Sequence, residues 1–357
     1  MRLQRYEEVT EKANFICVFP ILFVFLPGEN YCRPEMNVTV YEHATELPPL
    51  PAGSFFHSAA LMAVCEHTPR HKPYMVVVTA DDGTVAAHML AIMRYRHSWL
   101  PPSFYMHLRM MGEGEYHAAD LNRQEVFGLM VETVTARFQW RTLYVEISHL
   151  SEKMFGYREL RRLGFFPVRW MSIHNSLHSR TPEERIGERL LRRIELAVQR
   201  GAVTKTVETE QEFGDFSKLL RRHYWLKPRR FVPADGFFRE MMQEGHCRLF
   251  ITTVRQRVIG CCACVYSGGD AYLWFSASRR KSYAPFHPNA VTFWHAIRDA
   301  HARGCAHIRF VDVGLPFRRN PYREFILRFG GKEVSTYRWF RISIRWVNRL
   351  ASWLWRE

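Results

Sequence analysis

Apolar and polar positions along this chain fall into two periods, and the same succession of periods occurs twice. The first set opens with a helical stretch at residues 55–66. β-rich runs follow at residues 74–79, 85–93 and 103–108, the first two joined by the turn Asp81-Asp82-Gly83. Val126, Leu129, Met130 and Val134 then recur at spacings of three and four, which builds one buried stripe on a helix. A short β-rich run at residues 144–147 and a helix opened by Tyr157-Arg158-Glu159 come next. Gly164 stands where a helix C-terminus favours positive φ, and a final strand occupies residues 168–172.

The second set repeats this order. Helices at residues 212–223 and 237–243 precede runs at 248–253, 258–266 and 271–276, with turns at Arg255-Gln256 and Ser267-Gly268-Gly269-Asp270. Val291, Trp294, Ile297 and His301 form the second helical stripe, and residues 310–313 the next strand. Tyr322-Arg323-Glu324 opens a helix again, Gly330 matches Gly164, and a last strand begins at Val334. The repeated triplet with matched flanks is the signature of an internal duplication. The expected division is a first domain over residues 36–180 and a second over 181–357.

Three segments lie outside this repeat. Residues 1–35 contain a twelve-residue apolar run, 15–26, interrupted by Pro20 and too short to span a bilayer. They lack the positive bias of a signal peptide and are expected to be a poorly ordered extension, set by a start codon assigned too early. Between the two sets lies a helix over residues 185–200, with Pro182 before it and Gly201 after it, carrying Arg185, Arg189, Arg192, Arg193 and Arg200. Beyond Ile342 the pattern predicts a terminal helix with Trp346, Leu350, Trp353 and Leu354 roughly on one side, flanked by Arg345, Arg349 and Arg356. Trp beside Arg on an amphipathic helix suits a membrane interface, so residues 343–357 are a candidate for peripheral membrane contact.

Composition adds a compartment and a field. Apolar residues are 47% of 357 and charged residues 24%, enough for a packed core in each half of an ordinary globular protein. The net charge is +15, and residues 279–357 hold 16 Lys and Arg against 5 Asp and Glu. Such a field favours polyanions: the phosphates of a nucleotide cofactor, RNA, or an anionic membrane. The histidines complete no zinc pattern with the eight cysteines, so no metal is expected. Alternation places Cys262 and Cys264 on one strand face and Cys261 on the other, as small core residues in a reducing, cytoplasmic compartment.

The element order helix, three antiparallel strands, helix, strand, helix, strand resembles the GNAT acyltransferase fold. Two copies in tandem resemble the FemAB-like N-acyltransferases, which include the Fem peptidyltransferases. Residues 188–201 (ERLLRRIELAVQRG) look like the basic segment that opens the second domain of that group. Residues 288–314 look like its helix–strand unit, with Asp312 and Gly314 in its D-x-G, and NPYREFILRFGG at 320–331 looks like its penultimate helix. Phe325-Ile326 stands where many relatives have Phe-Lys. Any phosphate or oxyanion contact made there passes to Arg323 or Arg328, or is absent.

The resemblance implies a mixed α/β architecture of two tandem GNAT domains, central sheets flanked by helices. It implies an acyl donor, acyl-CoA or aminoacyl-tRNA, gripped where the fourth strand splays from the fifth, with phosphates at the following helix N-terminus. In the second copy these positions are Ser276, Ser278, Arg279, Arg280 and Lys281, with Asn289 expected as the helix N-cap. Asp312 is the candidate base or ammonium holder and Tyr322 the candidate donor to an oxyanion or leaving group. Arg189, Arg193, Tyr224 and Arg323 are candidate acceptor-binding residues. In the first copy Gly112-Glu113-Gly114-Glu115 is glycine-bearing but acidic, which disfavours phosphate there. The expected activity is acyl or aminoacyl transfer to an amine of a cell-envelope precursor or lipid, at the inner face of the membrane. Alternatives are tRNA-dependent peptidyl transfer of the Fem type and a non-catalytic pair that binds RNA or membrane.

Overall fold

The computed structural model describes residues 36–97, 104–138, 140–225, 231–311 and 313–355. The expectation for residues 1–35 lies outside them.

Among the described residues the first set comprises β1 (Asn37–Tyr41), α1 (Ala59–His67), β2 (His71–Thr79), β3 (Val85–His97), β4 (Phe104–Met111), β5 (Glu115–Tyr116), α2 (Arg123–Phe138), β6 (Tyr144–Ser148), α3 (Tyr157–Arg162) and β7 (Phe166–Ser176). Helices α4 (Pro182–Arg185) and α5 (Glu188–Gln199) connect it to the second set. That set comprises β8 (Val203–Thr206), α6 (Glu210–Tyr224), α7 (Asp235–Gln243), β9 (Cys247–Val254), β10 (Arg257–Ser267), β11 (Asp270–Ser278), α8 (Pro288–Ala302), β12 (His307–Phe310), α9 (Pro321–Leu327), β13 (Lys332–Ile342) and α10 (Arg345–Leu354).

All the strands join one sheet in the order β1-β2-β3-β4-β6-β13-β7-β12-β11-β10-β9-β8, with β5 paired to β3. Read from either end, the order is the same once the two sets are matched, so the sheet has a pseudo-twofold relation at its centre. The last strand of each set crosses to the other. β13 runs antiparallel to β6, with Trp339 opposite Ile147, while β7 runs antiparallel to β12, with Ile173 opposite Phe310. β7 and β13 also pair with each other from Phe166–Phe340 to His174–Lys332. Neither set closes its own sheet.

The helices cover this sheet in three cores. One face of the first half packs α2 (Phe127, Met130, Val134) over Met89, Leu108 and Ile147. On the second half, α5 and α8 pack Ile194, Phe293 and Ile297 over Cys262, Cys264 and Ile308. The third core belongs to both halves: Phe55, Phe56 and Leu61 meet Phe216, Phe238, Cys261 and Trp274. The cysteines therefore divide by strand face, Cys261 into the shared core and Cys262 and Cys264 into the other. Burying each large apolar side chain contributes roughly 1.5–3 kcal/mol, so the shared core helps to hold the two halves together.

Local signals set the helix ends. Thr209 and Glu212 form a reciprocal capping box at the start of α6. Gly164 and Gly330 end α3 and α9 at φ of 82° and 85°. Gly330 is doubly constrained, because a Cβ there would lie 2.5 Å from the Arg185 carbonyl oxygen.

Candidate active site

The site is built where β11 leaves β12. Parallel pairing runs from Asp270–His307 to Leu273–Phe310 and stops. On its other side β11 stays paired with β10 as far as Ser278–Gly260, but the register slips: Ala263 faces Phe275 and Cys264 faces Leu273. Trp274 is the extra residue, a β-bulge that bends the strand. Residues 274–278 are thus held from one side, and their other edge faces the wedge toward β12. Tyr224, at the end of α6, donates its hydroxyl to the Ser276 carbonyl oxygen at 3.0 Å. Two of the residues expected at the site, Tyr224 and Ser276, therefore meet.

The chain then passes through Arg279, Arg280 and Lys281 to the start of α8. Arg280 and Lys281 are exposed and Arg279 is half-buried. The N-cap of α8 is His287 in the left-handed region, followed by Pro288 at the first helical position. This corrects the expected cap: Asn289 lies one residue inside the helix, because Pro288, whose missing N–H costs nothing there, takes the first turn. Helix α5 lies alongside. Arg200 donates to the Pro285 carbonyl at 3.2 Å. Burial first, and then the nearby Arg193 and Arg200 charges, hold the His287 imidazole below its ordinary value. The two basic segments read separately in the sequence, α5 and the loop after β11, are thereby brought to one helix N-terminus, where aligned backbone dipoles add positive potential. Arg189 and Arg193 are both exposed on α5.

Asp312 lies outside the described residues. Val313 and Gly314 follow, and Asn320 ties this strand end to the next helix. Its side-chain nitrogen donates to the Val313 carbonyl at 2.7 Å, and its oxygen accepts the Tyr322 N–H at 3.0 Å as the N-cap of α9. Asn320 is not among the expected site residues, although Asn before Pro at a helix start is a recognisable cap signal. Tyr322 is half-buried and meets the Phe293 ring edge-on at 6.2 Å. Tyr157, its counterpart, meets Trp339 edge-on at 5.2 Å. Arg323 directs its guanidinium to the carbonyls of Leu315, Pro316 and Arg318 and lies 3.3 Å from Glu333, strapping the loop that follows the strand.

The same place in the first half is built differently. β4 and β6 pair from His107–Tyr144 to Met111–Ser148, and the Gly112 N–H extends the ladder to the Ser148 carbonyl at 2.7 Å. No register slip interrupts β3 and β4. The buried His57 ring fills the turn beyond: its Nδ1 accepts the Leu90 N–H at 3.1 Å, and a Cβ on Gly112 would lie 3.0 Å from its Nε2. Glu113 accepts from Ser151, and Glu115 from the Ser54 N–H at 3.1 Å.

A charge cluster beside this zipped edge has no counterpart in the sequence reading. Glu146 on β6 lies 3.4 Å from Arg338 of the exchanged β13 and 3.6 Å from Arg109 on β4, with all three side chains close to buried. Arg338 also lies over the Trp170 ring at 4.0 Å. A cavity of about 10 Å³, room for about one water, is lined by Arg94, Arg109 and Met111 from the first half and Trp274 from the second. Burial, then the charges of Arg94, Arg96 and Arg109, push His107 down to about 2, so it is neutral in the fold.

Residues 185–319 match the family model described as Acetyltransferase (GNAT) domain. The architecture of the described residues is similar to that of several solved structures. These include FemX (10% identity, TM-score 0.56, 81% of this chain and 97% of that one) and the C-terminal domain of a putative lysylphosphatidylglycerol synthetase from Agrobacterium fabrum (9%, 0.54, 84% and 91%). A tandem GNAT protein from the clavulanic acid biosynthesis pathway is a third (11%, 0.52, 87% and 99%). No curated protein sequence matches the chain. The chain therefore carries a GNAT domain over residues 185–319, and its fold is similar to that of solved tandem GNAT structures. Among the described residues no cluster of His, Cys, Asp or Glu is arranged to hold a metal ion, and no helix is long and apolar enough to cross a membrane.

Proposed function

We propose that this protein transfers an acyl or aminoacyl group from acyl-CoA or aminoacyl-tRNA to the amine of a cell-envelope precursor or lipid. The observation that carries the reading is the one-sided edge of β11 at residues 274–278, set beside the basic loop and helix at the start of α8. An acyl chain or aminoacyl end laid along that edge meets backbone donors and acceptors that β12 leaves unused, and phosphates meet Arg279, Arg280, Lys281 and the α5 arginines. The acceptor amine attacks the donor carbonyl, forming the C–N bond; the resulting oxyanion is stabilised by strand N–H groups. The C–S or C–O bond to the leaving group then breaks, while the amine proton passes to a base. Asp312 is the residue assigned to that base and Tyr322 the residue assigned to protonate the leaving group. A lipid acceptor is favoured by the lysylphosphatidylglycerol synthetase among the similar folds, and a peptidic precursor by FemX. An aminoacyl-tRNA donor is favoured by Arg193 and Arg200, whose charges act on His287 at the start of α8; this reading gives Arg193 a donor role in place of the acceptor role expected from the sequence.

The test is direct. Purified protein is titrated with CoA, acetyl-CoA and charged tRNA, and products formed with phosphatidylglycerol, phosphatidylethanolamine and peptidoglycan precursors are read by mass spectrometry. One donor class binds, and Asp312→Asn retains binding while losing transfer. An absence of binding to every donor would refute the reading, as would full transfer by Asp312→Asn.

A further inference from the structure

Helix α10 is attached to the protein by its less apolar side. Asn348 fixes its rotation: the side-chain nitrogen donates to the Gly164 carbonyl at 2.9 Å, and the side-chain oxygen accepts the Ile342 N–H at 2.8 Å. Arg161 reaches Ser352 on the same side at 3.5 Å. Val347, Asn348, Ala351, Ser352 and Trp355 face inward and are half-buried. The opposite side carries Trp346, Leu350, Trp353 and Leu354, which are 70%, 50%, 60% and 64% exposed. A terminal helix serving only its own fold would turn this stripe inward, because burying apolar area is the main favourable term available to it. Here a two-point hydrogen bond holds the stripe outward.

The patch extends beyond the helix. Phe317, 68% exposed, lies 6.2 Å from the Trp355 ring, in the loop between Val313 and Asn320 that borders the candidate active site. Ile344, 46% exposed, continues the patch at the helix start. Arg345 and Arg349 are exposed along one margin of the stripe, and Arg161 is exposed on the neighbouring α3.

We propose that this face docks on the surface of an anionic lipid bilayer, with the α10 stripe and Phe317 entering the headgroup region and the arginines contacting lipid phosphates. Two indoles and two leucines on one face with a cationic margin suit the bilayer boundary, where an apolar body and nearby positive charge are both satisfied. Charge complementarity selects the membrane over a second copy of this chain, whose identical face would set arginine margins against each other. The docking deepens the proposed function without depending on it, since it brings the loop after β12 and the mouth of the site to a lipid-borne amine.

Flotation of the full chain with vesicles tests it, with no substrate present. The protein is expected to float with phosphatidylglycerol-containing vesicles and weakly with phosphatidylcholine. Trp346→Ser with Trp353→Ser should reduce binding to both by roughly tenfold or more, with an unchanged melting temperature because both rings are exposed. Arg345→Gln with Arg349→Gln should reduce only the anionic preference. Failure of the native chain to float would overturn the proposal, as would equal flotation of the tryptophan variant. So would light scattering that shows a dimer lost in that variant, since a second copy would then be the occupant. Flotation without any acyl transfer would leave docking intact and count against the enzymatic reading alone.

Discussion

At the end of β4, Met111 still faces Ser148 of β6 and the Gly112 amide prolongs the ladder. At the matching point of the second half, β11 parts from β12 after Leu273. Trp274 separates the two cases, because a bulge in one strand turns its remaining hydrogen-bonding groups out of register with the next. The surroundings follow the same division. The first half seals its edge with His57, two acidic residues and a buried Glu–Arg cluster. The second half surrounds its opening with Arg279, Arg280, Lys281 and α5. The two halves thus hold one zipped edge and one opened edge with a positive rim.

The strongest way to break the zipped edge is to remove the buried carboxylate beside it. Glu146→Leu takes the counter-charge away from Arg109 and Arg338, and denaturant unfolding should show a loss of about 3–5 kcal/mol. The opened edge is tested by its rim. Arg280→Glu with Lys281→Glu should weaken donor binding, read by calorimetry, by about tenfold or more, since removing each charge-assisted hydrogen bond costs about 1.5–3 kcal/mol. Glu113→Gln with Glu115→Gln in the first half should leave donor affinity unchanged. Equal effects of the two pairs would erase the distinction.

A third test is in pH. His57, His71 and His88 are held neutral in the first half, depressed to about 3, about 3 and about 4, chiefly by burial, and His107 joins them. Unfolded histidines titrate near 6.5, so their contribution is complete above that value and is lost as pH falls toward the folded values. Each such histidine should remove about 1.4 kcal/mol per pH unit within that window. Thermal melts between pH 7 and 4 should show the fall, and His107→Gln should flatten it. The smallest effect is local: Asn320→Ala removes the cap of α9 and should cost about 1 kcal/mol. The matching helix α3 starts at Gly156 with no side-chain cap, so Gly156 has no equivalent loss to show.

Much of this architecture was legible in the residues. The two Tyr-Arg-Glu triplets, the paired Gly164 and Gly330 and the hairpin turns fixed the element order, because each acts through short-range backbone chemistry. The short edge strands β1 and β8 escaped notice, having too few residues to establish a period. The crossing of β7 and β13 was also hidden: either strand carries a pattern that suits both neighbours, and only the assembled sheet selects the partner. The basic loop and helix were visible as charge, but their meeting at α8 depended on packing. The Trp274 bulge and the cluster of Arg94, Arg109, Glu146 and Arg338 join separate strands, so no local spacing announces them.

The crossed strands also impose an order of assembly. β6 cannot acquire its second neighbour until the ribosome has released the segment beginning at Lys332, about half the chain later. Until then the N-terminal part exposes an unsatisfied strand margin and an apolar surface that the C-terminal part will cover. Such long-range closure slows folding and invites association with other nascent chains. Neither part is therefore a self-sufficient unit, and a fragment ending near residue 180 should require its complement, supplied in trans, to become soluble and cooperative.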